Sequence, residues 1–315
     1  MTVVVAGEAL VDLVPDPDGR LRALPGGSPF NVAVGLGRLG VDTALLGALS
    51  DDAFGALLAG RLDEAGVRVR PAARTSRPTT LAMVHLDDAG HASYGFYLDG
   101  TSATGLGGAD VAQAHAEEPA LATAPLHVSL GAVTLASDGT GATLAGLIAD
   151  APSRPFVSLD PNVRPAVITD MAAERAALER AVAAVDLVKV SDEDLAALMP
   201  GRDPLAVAGE WARSGPALVV VTRGRDGATA VRDENGTMTV ASLPVDVVDT
   251  VGAGDAFTSG LLAALDERAL LDRHALRGAD AGTLREVLDL ASRVAAITCT
   301  RRGAEPPTRD ELAAA

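Results

Sequence analysis

Asp255 follows Gly252, Ala253 and Gly254 in the stretch DTVGAGDAF (249–257), and that order of residue types sets up one kind of chemistry. Glycines let a backbone approach a ligand closely, and the residues that follow carry a helical pattern from about Ala253 to Leu265. A helix N-terminus offers amides without intrahelical partners at the positive end of a dipole, so it binds an anion without help from lysine. The amides of Val251 to Gly254 are expected to receive the negative charge that grows on a transferred phosphoryl group. Asp255, kept ionised by the same dipole, is the expected general base for the attacking hydroxyl. Taken alone, GxGD also suits an ordinary turn that enters a helix with a favourable first-turn aspartate; the rest of the chain decides.

Two other stretches hold residues suited to a polyol. Gly26 and Gly27 open GGSPFNVAVGLGRLG, where Asn31 either caps the following helix or hydrogen-bonds a hydroxyl. Asp12, in GEALVDLVPD, follows the first strand and either accepts bonds from a sugar or sits in a turn. Residues 35–40 match GxGxxG, but the dinucleotide fingerprint must follow a strand directly and open a helix. Here the helical pattern has begun by Asn31 and Gly40 reads as its C-terminal cap, so the glycines are expected to serve close helix packing.

Composition removes several alternatives. Against 26 basic residues stand 42 acidic ones, and the net charge of −16 repels nucleic acid. A nucleotide would need a local positive site, which the helix after Gly252 supplies. Lys189 is the only lysine, and it lies in DLVKVS with no glycine loop, so neither a Walker A loop nor a protein-kinase lysine is present. The arginine bias fits a GC-rich genome or halophilic adaptation. Cys299 is the sole cysteine, and the five histidines lack metal-ligand spacing, which leaves no disulfide and no cysteine or histidine metal centre to expect. The N-terminus has no basic leader and no apolar run reaches the roughly 18 residues of a membrane span, so the expected location is cytoplasmic.

The elements that must position these residues are legible as short β-branched runs between helical segments. Runs at Val3, Leu126, Phe156, Asp186 and Ala217 alternate with helical patterns at Asp138–Ala149, Met171–Ala184 and Pro204–Arg213. Strands apolar on both faces, separated by helices, predict a doubly wound, mainly parallel sheet. VDVV is read as a strand leading into the glycine turn, and Arg277–Thr283 as a surface loop. From Thr79 to Leu98 two strand-like runs flank DDAG with no helix between, which predicts a hairpin. With the polar stretch near Asp16 it forms either a plain meander or a lid over a cleft at the carboxyl ends of the strands; the lid is preferred.

The motifs together resemble those of the ribokinase-like (PfkB-type) carbohydrate kinases. DTVGAGDAF is similar to that family's DTxGAGD signature, GGSPFNVAVGLGRLG to its N-terminal signature, SLDPNVRP (158–165) and KVSDEDL (189–195) to its middle motifs, and AAITCTRRGAEPP (295–307) to its C-terminal segment. They occur in family order across the whole chain. The resemblance implies a single domain over 1–315: an α/β sheet flanked by helices, with a small β lid from about 13–25 and 67–101. It also implies ATP and Mg2+, and transfer of the γ-phosphoryl group to a sugar hydroxyl. On matching positions, Asp255 is the base and Gly252, Ala253 and Gly254 the anion hole. Asp12, Gly26, Gly27, Asn31 and the lid residue Phe96 fall on the sugar side, with Arg164 as an anion contact. Thr222, Gly224 and Gly227, with Lys189, fall on the nucleotide side.

The chain departs from the family pattern at NxxE, where Ser191 stands for the asparagine and Asp194 for the glutamate, so Asp194 is expected to act on Mg2+ through water. Asp249 matches a residue near a monovalent-cation site, which raises K+ as an additional ion, with Thr298 and Pro307 needed to complete the site. GEALVDL, FYLDGTSA and DPNVRP look most like the fructokinase branch. Ketodeoxygluconate kinases carry an arginine where Leu98 stands, and an apolar residue cannot pair a carboxylate. Ketodeoxygluconate and nucleoside kinases remain alternatives, as does a sugar sensor without catalysis. Exposed lid edges point to a homodimer.

Overall fold

Valine- and leucine-rich segments buried along their whole length build the centre of the molecule. The computed structural model describes residues 1–314 except 17, 73, 87–91, 138 and 233–235. Its strands are β1 (Val3–Ala6), β2 (Leu10–Pro15), β3 (Leu21–Gly26), β4 (Thr43–Leu46), β5 (Arg68–Arg70), β6 (Leu81–Leu86), β7 (Ala92–Tyr97), β8 (Leu126–Ser129), β9 (Val157–Asp160), β10 (Leu187–Ser191), β11 (Leu218–Thr222), β12 (Ala228–Arg232) and β13 (Gly236–Val240). Nine form one sheet in the order β13-β12-β11-β10-β9-β8-β1-β4-β5, parallel except at β12 and β13. The other four form a separate sheet, β3-β2-β6-β7.

Alternation along each strand feeds two apolar layers. Val3, Val5, Leu187, Leu218 and Val220 face the helices Ser28–Arg38, Ala253–Glu267 and Ala281–Cys299. Val4, Val128, Leu159, Val188 and Val219 face the helices Thr140–Ala149, Met171–Ala184 and Pro204–Ser214. Each large side chain so buried stabilises the fold by about 1.5–3 kcal/mol. Because the central strands are parallel, Ser129, Asp160, Ser191 and Thr222 all end at one edge of the sheet, and the small sheet adjoins that edge through β2 and β3.

The helix Ser28–Arg38 explains the GxGxxG segment. A side chain on Gly35 would collide with Ser259 and one on Gly37 with the backbone of Ala65, so these positions serve close packing. Gly40 adopts φ +79°, and the Val41 amide donates to Leu36 O, closing the helix as a C-terminal cap. The helix starts three residues earlier than its pattern suggested, with Pro29 in its first turn.

Three other expectations change. VDVV is not a strand: residues 241–250 lack regular structure, Val247 and Val248 are exposed, and the amides of Val248 and Asp249 donate to Cys299 O. Valine content alone cannot supply a neighbouring strand. Arg277–Thr283 is not a loop, because the helix Arg273–Gly278 runs into it and Asp280 caps the helix Ala281–Cys299 by accepting from the Thr283 amide. Residues 68–70 pair with β4 in the large sheet, so the inserted lid segment begins after them. The hairpin of β6 and β7 is present and antiparallel; its DDAG turn lies outside the described residues, as does Asp138.

Candidate active site

Gly252 forms the N-cap of the helix Ala253–Glu267 at φ +73°, where a side chain would be strained and would also strike Ala304. The Val251 amide is taken by Asp249 Oδ1 (3.0 Å) and the Ala253 amide by Thr250 O (3.2 Å). The amides of Gly252, Gly254 and Asp255 have no partner among the described residues, so the amides open to an anion in this turn are those three.

Asp255 is 8% exposed and held at both oxygens: Ser28 Oγ donates to Oδ1 (2.7 Å) and Asn31 Nδ2 to Oδ2 (2.8 Å). Burial is the largest influence on it and pushes its pKa up; the bonds from Asn31 and Ser28 and the charge of Lys189 oppose that shift. Burial thus acts on this carboxyl against the bonds and charge that favour its ionised form. Asn31 neither caps its helix nor lies apart from the base.

Asp12, on β2, is the second carboxyl of the site. Burial and the charge of Asp255 raise it to about 6, against a weaker pull from Arg164. Gly26, at the end of β3, is required beside it, since a side chain there would meet Asp12 Oδ2. A side chain on Gly27 would approach Glu8 O to 3.1 Å. Phe96 on β7 packs with Leu98 against Leu10, Ala82 and Ala132, which makes an apolar underside to the small sheet. Arg164 is exposed, bonded to Val163 O, and its field reaches Asp12, Asp194 and Glu8.

Lys189 lies beneath this surface. It is 3% exposed, and its ammonium donates to Asp160 Oδ2 at 2.9 Å. Burial opposes its charge, but Asp160, aided by Asp194 and Asp255, outweighs that and raises its pKa. A side chain on Gly254 would come within 3.2 Å of its Nζ, so the lysine supports the first turn of the helix from below. Asp194 is buried in a capping box with Ser191: its Oδ1 accepts from the Val163 amide (2.9 Å) and its Oδ2 from the Ser191 amide (3.3 Å). Thr222 ends β11, and Gly224 and Gly227 bound the turn into β12, one strand from Ser191. The Asp249 carboxylate joins the amides of Val251 and Gly303. Thr298 is spent on Val294 O, and Pro307 is buried.

The chain matches the pfkB family carbohydrate kinase profile over residues 1–311. It belongs to that family. The kinase is 37% identical over 287 residues to a fructokinase of Rhizobium leguminosarum bv. trifolii, covering 90% of this chain and 85% of the relative. It superimposes on the Xylella fastidiosa fructokinase with bound ATP at a TM-score of 0.88 with 27% identity, covering 99% and 97% of the two chains. A double-mutant fructokinase from Vibrio cholerae O395, in a fructose, ADP and potassium ion bound form, matches at a TM-score of 0.81 with 30% identity, covering 99% and 97%. The ribokinase-like fold, a mainly parallel sheet flanked by helices with a smaller sheet at its edge, is the fold the motifs implied.

Three polar residues of this kinase were not marked by its motifs: Ser28, already placed on Asp255, and two others. Glu8, after β1, is 2% exposed; its Oε1 accepts from the Ala132 amide (3.2 Å), and burial pushes it up to about 7. Asn162, at φ +40°, donates from Nδ2 to Ser28 Oγ (3.2 Å). The signals were the E of GEALVDL and the N of DPNVRP, both within quoted motifs but with no spacing that links them to Asp255. No helix among the described residues is long and apolar enough to cross a membrane.

Proposed function

We propose that the protein is an ATP-dependent fructokinase that transfers the γ-phosphoryl group of ATP to a primary hydroxyl of D-fructose, giving fructose 6-phosphate. One observation carries the mechanism: a buried, hydrogen-bonded carboxylate in the first turn of a helix whose neighbouring glycine amides are free. In the proposed reaction the sugar hydroxyl gives its proton to Asp255 as its oxygen forms a bond to phosphorus. The bond from phosphorus to the bridging oxygen breaks, and ADP leaves. Free amides of Gly252 and Gly254 receive the charge on the transferred group. Asp12 orients the sugar with the backbone at Gly26 and Gly27, and Arg164 contacts the phosphate. The turn Thr222–Gly227 takes the nucleotide, with Lys189 supporting the anion hole from beneath.

A cage of three or more acidic, histidine or cysteine ligands is absent among the described residues, which suits an ion that keeps its waters and binds chiefly to phosphate. Each Asp194 oxygen accepts a single amide and retains a lone pair for a bound water. Magnesium held there with ATP would neutralise phosphate charge. Asp249 is the proposed residue for potassium.

Leu98, just past β7 and half-buried among apolar neighbours, speaks for a neutral sugar over ketodeoxygluconate. A coupled ADP assay with fructose, ribose, ketodeoxygluconate and adenosine, with and without KCl, tests the reading. Fructose is expected to give the highest kcat/KM. Tight sugar binding without ADP release would instead indicate a sensor.

A further inference from the structure

Ser28 follows the two glycines, and its hydroxyl is the best-connected polar atom around the base. A hydroxyl has one proton to give and two lone pairs to receive. Asn162 Nδ2 donates to Ser28 Oγ at 3.2 Å, and Ser129 Oγ lies 2.6 Å away with its one other acceptor, Leu130 O, at 3.5 Å. Those two donors fill the lone pairs of Ser28. Its proton is then committed to Asp255 Oδ1, at 2.7 Å. The two sides of the carboxylate differ: Ser28 and Ser129 are buried, whereas Asn31, on Oδ2, is only half-buried and closer to the open face.

We propose that Ser28 is a positioning residue for the base, its hydroxyl oriented by Asn162 and Ser129 so that it holds Oδ1 of Asp255 and leaves Oδ2, on the Asn31 side, to receive the acceptor's proton. The proposal rests on the assignment of Asp255 as base. The other end of the Asn162 amide lies beside Gly131. Its Oδ1 has no partner among the described residues, and neither does Glu8 Oε2; both side chains border the space that a side chain on Gly131 would fill. The orientation of Asn162 therefore rests on its Nδ2 bond to Ser28 Oγ. The charged and titratable groups that interact with Asp255 are Lys189 and Asp160, Glu8 after β1 and Asp12 on β2.

A donor removed from an ionised carboxylate raises its pKa, and a base works only when ionised. The test is kcat against pH for the wild type, Ser28→Ala and Asp255→Asn, at saturating sugar and ATP, with Tm recorded for each. For folded Ser28→Ala the acid limb is expected to move upward by about half to one pH unit, a loss of about three- to tenfold at the acidic end. The alkaline plateau should stay within about threefold and KM for ATP should not change. An acid limb superimposed on the wild type, or an equal loss at every pH, overturns the proposal while an inactive Asp255→Asn leaves the base assignment standing. Full turnover by Asp255→Asn would remove the base and the proposal together. If Ser28→Ala does not fold, Ser28→Cys, with a weak donor in place, is read in the same way.

Discussion

Lys189 and Asp160 form an ion pair of 2.9 Å in the interior, and the lysine ammonium lies directly under the helix turn that carries Asp255. Removing one partner leaves the other charge buried without compensation. Lys189→Met is expected to destabilise the fold by about 3–5 kcal/mol, and Lys189→Met with Asp160→Asn by less than the sum of the two single changes. Urea denaturation of the four proteins measures the coupling; additive losses would contradict it.

Gly26→Ala should act on the sugar alone. The new methyl would come within 2.3 Å of Asp12 Oδ2 and push that carboxyl aside. Displacing a binding carboxylate by about 1 Å can cost on the order of 100-fold, so kcat/KM for the sugar should fall by between tenfold and 100-fold, with KM for ATP near its original value. Steady-state kinetics with each substrate varied in turn checks this.

The acid limb of kcat/KM should lie well above the ordinary carboxylate range. Asp12 is raised to about 6 and Asp255 is raised as well, and both are needed ionised in the proposed reaction. Activity is therefore expected to fall as pH drops through about 6. Asp12→Asn should weaken sugar use at all pH values and leave the remaining limb to Asp255. A limb near pH 4 in the wild type would count against both assignments.

Glu8 should make the fold less stable as pH rises. Its folded pKa, about 7, exceeds the ordinary 4.5, so the folded protein binds a proton that the unfolded chain has released between those values. Stability from this group is highest below about pH 4.5 and declines up to about pH 7, by on the order of 3 kcal/mol. Glu8→Gln keeps an oxygen for the Ala132 amide and puts a donor in place of Oε2. Its stability at pH 8.5 should exceed that of the wild type, by denaturant midpoint, with little difference at pH 5.

The readable and unreadable parts of this chain separate along physical lines. GAGD, Gly26 and Asp12 were legible because local demands fix their residue types: a left-handed helix cap at Gly252, a close approach at Gly26, and a carboxyl at a strand beside it. The parallel core was legible because β1, β8, β9 and β10 are buried almost along their whole length, with β1 apolar on both faces and the others on one. Ser28, Asn162 and Glu8 were not, since their roles arise where β1, β9 and two helices converge, more than a hundred residues apart in sequence. VDVV misled because valine marks burial in a sheet only when a neighbouring strand exists, and here a backbone carbonyl of Cys299 takes that place. Arg277–Thr283 misled because its glycines outweighed Asp280, whose capping role was the stronger signal.

Asp12 and Gly26 belong to the small sheet, while Asp255 belongs to the main body. In the proposed reaction the acceptor is held by the first pair and gives its proton to the second. One carboxyl on a strand of the small sheet and the other on a helix of the main body would, in that reaction, together select an acceptor long enough to meet both.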